Sequence, residues 1–283
     1  MKHTASFLWL SALVLLCGCG GGQQSITGNV AGMPGAKPPD PKPHALDTPS
    51  NWQFSTASTV AGAPALAIAG SLSPDGGGMS GAVHVDGSNC FDRLATLELT
   101  GTLTNRNLSL TSAPVNGQVI TFSGSLSDGA VNGSASAFTG TYTISGGCAN
   151  GDQGSVTGIK VPPIPTGLSA TFTSSGEGSF ELTAGENQSS SPSATGSFAI
   201  QGTVTVHTSC FTSGTLTPGT FPTGSFILGT SVALQIATDN GTVNFLGTLD
   251  PNTGEIDGNY TVSGGTCDQT GTATLFTSSP WDY

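Results

Sequence analysis

Positively charged residues are scarce in this chain. Six Lys and Arg stand against 17 Asp and Glu, and no Lys or Arg follows Lys160. The segment after Lys160 holds nine carboxylates, which gives it a formal charge of −9. A surface without cations cannot neutralise phosphates, so the composition excludes nucleic acid as a partner. It also argues against attachment to anionic lipid headgroups through a basic patch. We interpret the acidity as a source of solubility rather than as a cation-binding device.

Recognisable catalytic motifs are missing as well. The sequence has no Gly-x-Ser-x-Gly elbow, no His-Glu-x-x-His and no phosphate-binding loop. Among the histidines, His44 precedes the repeated part of the chain, and His84 and His207 do not occupy matching positions in the two repeats described below. A nucleophile needs a partnered base, and none is indicated. The sequence therefore predicts no catalytic residue, no cofactor and no enzyme activity.

Residues 250–257 (Asp-Pro-Asn-Thr-Gly-Glu-Ile-Asp) carry closely spaced carboxylates. Oxygen ligands at alternating positions suit calcium, and Asp250, Glu255 and Asp257 together are candidates for a carboxylate-based hydrolase. However, the glycine lies one position early for an EF-hand, and no Glu stands at the twelfth position. The segment also lies where a hairpin should turn, so we predict a turn and no metal site.

A helical stripe is absent after the first 18 residues, and apolar residues alternate with polar ones instead. The alternation is clearest for Leu97 and Leu99, for Leu108 and Leu110, for Val232, Leu234 and Ile236, and for Tyr260 and Val262. Asn-Gly pairs at residues 116–117, 132–133 and 240–241 are typical of hairpin turns. The pattern predicts an all-β protein of antiparallel strands, folded as a small barrel or as a two-sheet sandwich. In a barrel, Trp52 near the first strand could close the base.

The folded part of the chain consists of two copies of one unit. Gly-Ala-Val-His-Val at 81–85, followed by Cys90, corresponds to Gly-Thr-Val-Thr-Val at 202–206, followed by Cys210. Each copy ends in a Gly-x-Tyr-Thr motif that leads through Ser-Gly-Gly to Cys148 in the first copy and Cys267 in the second. Because the order of the motifs is kept, the similarity indicates a tandem duplication.

A proline-rich seam separates the two copies, with prolines at 162, 163 and 165. Proline resists the continuation of both helix and sheet. We therefore predict two tandem antiparallel β domains, at residues 51–163 and 164–283, in preference to one barrel that pools the strands of both copies. Residues 19–50 are rich in Gly and Pro and are predicted to form a flexible tether.

Four cysteines fall within the repeats and permit three pairings. The duplication selects Cys90 with Cys148 and Cys210 with Cys267, because each pair then takes the same place in its copy. No Cys-x-x-Cys occurs among these four, and no histidine stands at ligand spacing in both copies. We therefore predict two structural disulfides rather than a redox or metal site.

The first 19 residues join a weakly basic start to a short apolar run that ends in Leu-Cys-Gly-Cys at 16–19. The run is too short to span a bilayer as a helix. A leucine three residues before a cysteine, and a small residue directly before it, resemble the lipobox of bacterial lipoproteins. The resemblance implies that residues 1–18 are a signal peptide and that Cys19 carries the lipid. It also implies a cell-envelope protein anchored to a membrane, and Gly20 after the cysteine favours the outer membrane over the inner one.

The sequence leaves two alternative functions. We expect first a lipid-anchored cell-envelope protein with a structural or interaction role, whose protein or glycan partner the sequence does not identify. The alternative is a carrier of small apolar ligands in a lipocalin-like β-barrel, which rests on analogy of fold. A packed interior without a bound molecule is expected for the first function, and an apolar cavity for the second.

Overall fold

The structure is a computed structural model, and it describes residues 46, 48–127, 137–164, 168–174, 180–207 and 210–277. The predicted signal peptide, Cys19, most of the predicted tether and the Asn-Gly pair at 132–133 lie outside the described residues. Every regular element in the described ranges is a β-strand, and none of them contains a helix of the length and apolarity that crossing a membrane requires. The predicted all-β class is confirmed.

The first repeat folds as a closed barrel of eight antiparallel strands, here called the first barrel. Each strand pairs with the next along the chain, and β8 returns to pair with β1. The strands are β1 (Ser50–Ser58), β2 (Ala67–Asp75), β3 (Gly78–Asp86), β4 (Leu97–Thr104), β5 (Asn107–Ser112), β6 (Val119–Ser127), β7 (Ala137–Ser145) and β8 (Gln153–Val161). The choice that the sequence left between barrel and sandwich is thus decided in favour of the barrel for this repeat.

The second repeat forms a sheet of nine strands, here called the second sheet. Its strands are β9 (Leu168–Ser174), β10 (Phe180–Gln188), β11 (Phe198–His207), β12 (Ser213–Leu216), β13 (Phe226–Leu228), β14 (Ser231–Thr238), β15 (Gly241–Leu249), β16 (Ile256–Ser263) and β17 (Gln269–Thr277). Because β17 pairs with β9 and β10 pairs with β11, the strand pairings of this sheet form a closed ring. Among the described strands, those of the two repeats do not pair with one another.

Two short strands of the second sheet are the halves of one strand. Leu216 of β12 pairs with Ile236 of β14, and Phe226 of β13 pairs with Ala233, three positions before Ile236 in β14. Thr217 and Ser225 fill the two places between, since the Ser225 N–H donates to the Thr217 carbonyl (2.8 Å). The split strand therefore corresponds to β4 of the first barrel, with residues 218–224 inserted into it as a loop.

The interior of the first barrel is filled by stacked aromatic rings. Trp52 stacks on Phe54 at 5.7 Å between ring centroids, and Phe54 stacks on Phe122 at 5.8 Å. Phe138 meets Phe54 edge-on at 6.0 Å. The indole N–H of Trp52 donates to Ser50 Oγ (2.9 Å), which satisfies the one polar atom that the ring buries. Trp52 thus has the structural role in the barrel that its position suggested.

The registers of the two repeats match residue for residue where the sequence motifs match. Apolar residues predicted to alternate point inward in both copies and are buried. The corresponding cross-strand pairs are Phe122 with Tyr142 and Phe245 with Tyr260, and then Gly124 with Gly140 and Gly247 with Gly258. The glycine pairs leave room for the neighbouring aromatic rings, because a Cβ on Gly247 or Gly258 would collide with the ring of Phe245. The two repeats therefore share the packing of their cores as well as their sequence motifs.

The predicted disulfides are both present. Cys90 bonds to Cys148 and Cys210 bonds to Cys267, with sequence separations of 58 and 57 residues. In each copy a side-chain amide from the following hairpin holds the first cysteine of the pair. Gln118 Nε2 donates to the Cys90 carbonyl (2.6 Å), and Asn240 Nδ2 donates to the Cys210 carbonyl (2.9 Å).

Candidate functional site

A cleft of about 440 Å³ lies where the outer face of the first barrel meets the second sheet. The first barrel contributes Ala67 and Ala69 of β2 and the loop after β3, and the second sheet contributes β13, the beginning of β14 and Leu246 of β15. The walls are mainly apolar, and the polar groups stand singly among them. This size, lining and position are typical of small-molecule sites in proteins built from two units.

The inserted loop of residues 218–224 forms one wall of the cleft. Phe221 lies in this loop and packs against the ring of His84 from the first barrel, 4.4 Å between centroids. Phe221 also meets Phe226 of β13 edge-on at 5.7 Å. The loop therefore joins the two units and shapes the cleft at the same time.

Two large apolar side chains at the cleft remain open to solvent. Leu94 is 53% exposed and Leu246 is 63% exposed, and both line the cleft from opposite units. Exposed leucines are unremarkable when scattered singly. Here the two lie on one concave surface, where an apolar ligand would remove both from water.

His84 lies on the outward side of β3, yet it is only 5% exposed, and Thr195 and Phe221 from loops of the second repeat contact it. Its Nε2 lies 2.9 Å from the Thr195 carbonyl and its Nδ1 lies 3.2 Å from the Arg93 carbonyl. Burial lowers the pKa of His84 below its usual value, although the backbone hydrogen bonds to Thr195 and Arg93 act in the opposite direction. A neutral imidazole can donate to only one of the two carbonyls.

A second set of polar contacts fixes the two units beside the cleft. Asn51 Nδ2 donates to the Gly229 carbonyl (2.8 Å), and the Gly229 N–H donates back to Asn51 Oδ1 (2.7 Å). The Thr230 N–H donates to Gln53 Oε1 (3.3 Å). Gly229 has φ +56°, and a Cβ there would meet Gln53 and Ala69, so the turn between β13 and β14 needs glycine at this contact.

The charged groups at the cleft are Asp86 and Arg93, both from the first barrel and both exposed. Arg93 is one of three cationic residues between residues 51 and 283, with Arg106 and Lys160. One of the few cations of the repeats is thus placed at the rim of the cleft, where it can reach an anionic or hydrogen-bond-accepting group on a bound molecule.

The carboxylates of residues 250–257 lie in the turn between β15 and β16, as the sequence predicts. The Asn252 N–H donates to Asp250 Oδ1 (2.8 Å), and this backbone bond lowers the pKa of the exposed Asp250 carboxyl. Asp257 Oδ1 accepts from Thr274 Oγ1 (2.6 Å) across the strand pair. Asp250 therefore stabilises the turn, and Asp257 stabilises the pairing of β16 with β17. Across the described residues, no three His, Cys, Asp or Glu side chains form a cluster able to hold a metal.

The sequence did not reveal the cleft, because its walls are parts in which the two copies differ. His84 takes the place that Thr205 has in the second copy, and residues 218–224 have no counterpart in the first. The unequal histidines indicated only that the copies share no site. Such differences between otherwise matching repeats are the signal that could have pointed to a contact between them.

Comparison with known proteins gives little further guidance. No protein-family model and no curated protein sequence matches this chain. A solved structure that is similar in part is that of kievitone hydratase from Nectria haematococca, at 8% identity and a TM-score of 0.23. The match covers 83% of this chain and 90% of that one.

The match corrects one prediction. The sequence predicts that the chain is not an enzyme, and this prediction is contradicted because the similar structure is that of an enzyme. At a TM-score of 0.23 the likeness says nothing about which residues would react or on what substrate. We therefore infer no catalytic activity from it and no longer predict the lack of one.

Proposed function

We propose that this protein binds a small, largely apolar molecule in the cleft between its two β units. The observation that carries the proposal is the cleft of about 440 Å³ with Leu94 and Leu246 exposed on its two sides. A ligand there would remove apolar surface from water. Each Å² of buried apolar surface contributes about 25 cal/mol of favourable free energy, and this is the main source of affinity for such molecules.

The cleft is a better place for a ligand than the interior of the first barrel. The lipocalin-like alternative requires an open interior, whereas Trp52, Phe54, Phe122 and Phe138 fill this one and are at most 2% exposed. Binding between the units needs no rearrangement of that packed core. The structural or interaction role that the sequence favours stays a prediction with no identified partner.

The polar groups of the cleft favour a particular kind of apolar molecule. Arg93 at the rim matches a carboxylate, sulfonate or other acceptor group on the edge of the ligand. The ring of Phe221 lines the same cleft and adds apolar surface to it. An apolar body with one anionic edge fits this arrangement.

Anilinonaphthalene sulfonate has this chemistry and reports binding through its fluorescence. Ala233 lines the cleft from β14, and Ala237 lies on the same face of the same strand but outside the cleft. We expect the native protein to enhance the fluorescence of the probe, Ala233→Trp to abolish the enhancement and Ala237→Trp to retain it. Equal enhancement by all three proteins would rule out the cleft as the site.

We further propose that the protein is a lipoprotein of the cell envelope, anchored through Cys19. The Leu-Cys-Gly-Cys motif at 16–19 supports this proposal. In cells fed a labelled fatty acid, the native chain should take up label and sediment with membranes, and Cys19→Ser should do neither. Uptake of label by Cys19→Ser would contradict the assignment.

A further inference from the structure

A smaller cavity of about 160 Å³ lies at one end of the first barrel, and none of its lining residues lines the cleft. Three loops wall it: residues 63–66, residues 88–91 and residues 144–152. Most of its lining is apolar, including Leu66, Phe91 and Ile144, and Asp152 contributes a carboxylate. Cavities of about 150 Å³ are large enough to admit benzene.

The loops around this cavity are held rigidly. The Cys90–Cys148 disulfide joins two of them. Gln118 bridges the same two loops, because its Nε2 donates to the Cys90 carbonyl (2.6 Å) and its Oε1 accepts from the Ala149 N–H (3.1 Å). A ligand would enter a site whose shape is already set, which lowers the entropic cost of binding.

Asp152 is the charged residue of the cavity lining and is only 7% exposed. Its Oδ1 accepts hydrogen bonds from Ser58 Oγ (2.5 Å) and from the Tyr142 hydroxyl (3.0 Å). Burial raises the pKa of Tyr142, which keeps that hydroxyl protonated and able to donate. Within the described residues, both of these hydrogen bonds reach Oδ1, which leaves Oδ2 for a ligand.

We propose that this cavity is a binding site for a small organic ammonium ion, with Asp152 as its counter-ion and the apolar lining around its carbon body. Buried carboxylates are ordinarily matched by a cation, because burial of a charge without a partner is strongly unfavourable. The hydrogen bonds to Asp152 come instead from two neutral hydroxyl groups. An ammonium group at Oδ2 completes the match.

The second repeat lacks this arrangement, which makes it an internal control. Tyr260 corresponds to Tyr142. Gln269 lies two positions before the strand partner of Tyr260, as Asp152 lies two positions before the strand partner of Tyr142, so Gln269 takes the place of Asp152. Asp268, one position earlier, is exposed and faces the Gly265 N–H at 3.4 Å. The carboxylate of the first repeat is therefore a feature of that repeat alone and not part of the shared core.

The test compares benzylammonium with benzyl alcohol by isothermal titration of the native protein at neutral pH. The two probes share a ring and a donor group, and only the first is charged. We expect benzylammonium to bind at least about tenfold more tightly, as a charge-assisted bond to a buried group would give. Equal affinity for the two probes would overturn the proposal.

Variants distinguish binding in the cavity from a general attraction of cations to this acidic protein, whose formal charge is −11. Asp152→Asn should remove the preference for benzylammonium, and Asp268→Asn should retain it. If Asp152→Asn does not fold, Ala63→Leu narrows the cavity with Asp152 intact, and Ala61→Leu in the same loop is its control. Loss of binding in Ala63→Leu but not in Ala61→Leu supports the site. Retention of the preference in Asp152→Asn, or of binding in Ala63→Leu, would refute it.

Discussion

Tyr142 serves the first barrel in two ways, through a ring that packs in the core and a hydroxyl that donates to Asp152 (3.0 Å). Tyr142→Phe keeps the ring and removes one donor from a buried carboxylate. We expect a loss of about 1.5–3 kcal/mol in the free energy of unfolding, the usual contribution of a hydrogen bond to a charged group. Urea denaturation measures it. Thr143→Val, at an exposed position of the same strand, should stay within about 0.5 kcal/mol of the native protein.

His84 makes the contact between the two units sensitive to pH. Burial lowers its pKa in the folded state, so between that value and the unfolded value of about 6.5 the unfolded chain binds more protons. The contribution of His84 to stability is therefore complete above about pH 6.5 and is lost as the pH falls through the folded pKa.

Urea denaturation of the native protein and His84→Gln across this pH range tests the prediction. The difference in the free energy of unfolding between the two proteins should shrink as the solution is acidified. A difference that is constant with pH would show that His84 does not titrate in this way.

At the scale of single elements, we expect that the inserted loop of residues 218–224 can be deleted without unfolding the second sheet. Thr217 and Ser225 lie next to each other opposite β14, and on the other side Ile200 N–H donates to the Ser225 carbonyl (2.9 Å). Joining Thr217 directly to Ser225 restores a continuous strand in register with both neighbours. We expect this deletion variant to remain folded and to lose binding of anilinonaphthalene sulfonate.

Folding and ligand binding of the deletion variant are measured separately. Circular dichroism and thermal unfolding report whether the second sheet has formed, and fluorescence reports the cleft. A folded deletion variant that still binds the probe as the native protein does would show that the loop does not form the binding wall.

The two disulfides are matched elements and should contribute alike. Each closes a loop of similar length, with separations of 58 and 57 residues, and in the chain-entropy model each stabilises the fold by about 4 kcal/mol. The paired serine variants of Cys90 with Cys148, and of Cys210 with Cys267, should therefore destabilise by similar amounts in urea denaturation. A loss confined to one pair would contradict equal roles.

Much of the element-level structure was predictable because the signals are local. Alternation identified the buried faces of strands such as β14 and β16, and the Asn-Gly pair at 116–117 marked a two-residue hairpin whose residues have φ 51° and 75°. The split of β12 from β13 was not predictable, since the decisive fact is the register of residues on either side of a loop.

At the scale of the whole molecule, duplication explains the cores and divergence explains the candidate sites. The repeat selected the disulfide pairing and placed Tyr142 and Tyr260 in equivalent positions. The cleft depends instead on how two copies meet, through Asn51 with Gly229 and His84 with Phe221. Contacts between units have no periodicity along the chain, so the sequence indicates them only through the positions at which the two repeats differ.

The central claim is that the cleft holds a small molecule, and native mass spectrometry tests it most directly. The chain from residue 20 onward, exported without its lipid so that no detergent is needed, should carry an additional small mass after purification. Ala233→Trp should lack that mass and Ala237→Trp should retain it. A native protein without added mass that also fails to enhance the fluorescence of anilinonaphthalene sulfonate would contradict the account. So would an added mass that survives in Ala233→Trp and also in Asp152→Asn, since neither proposed site would then hold it.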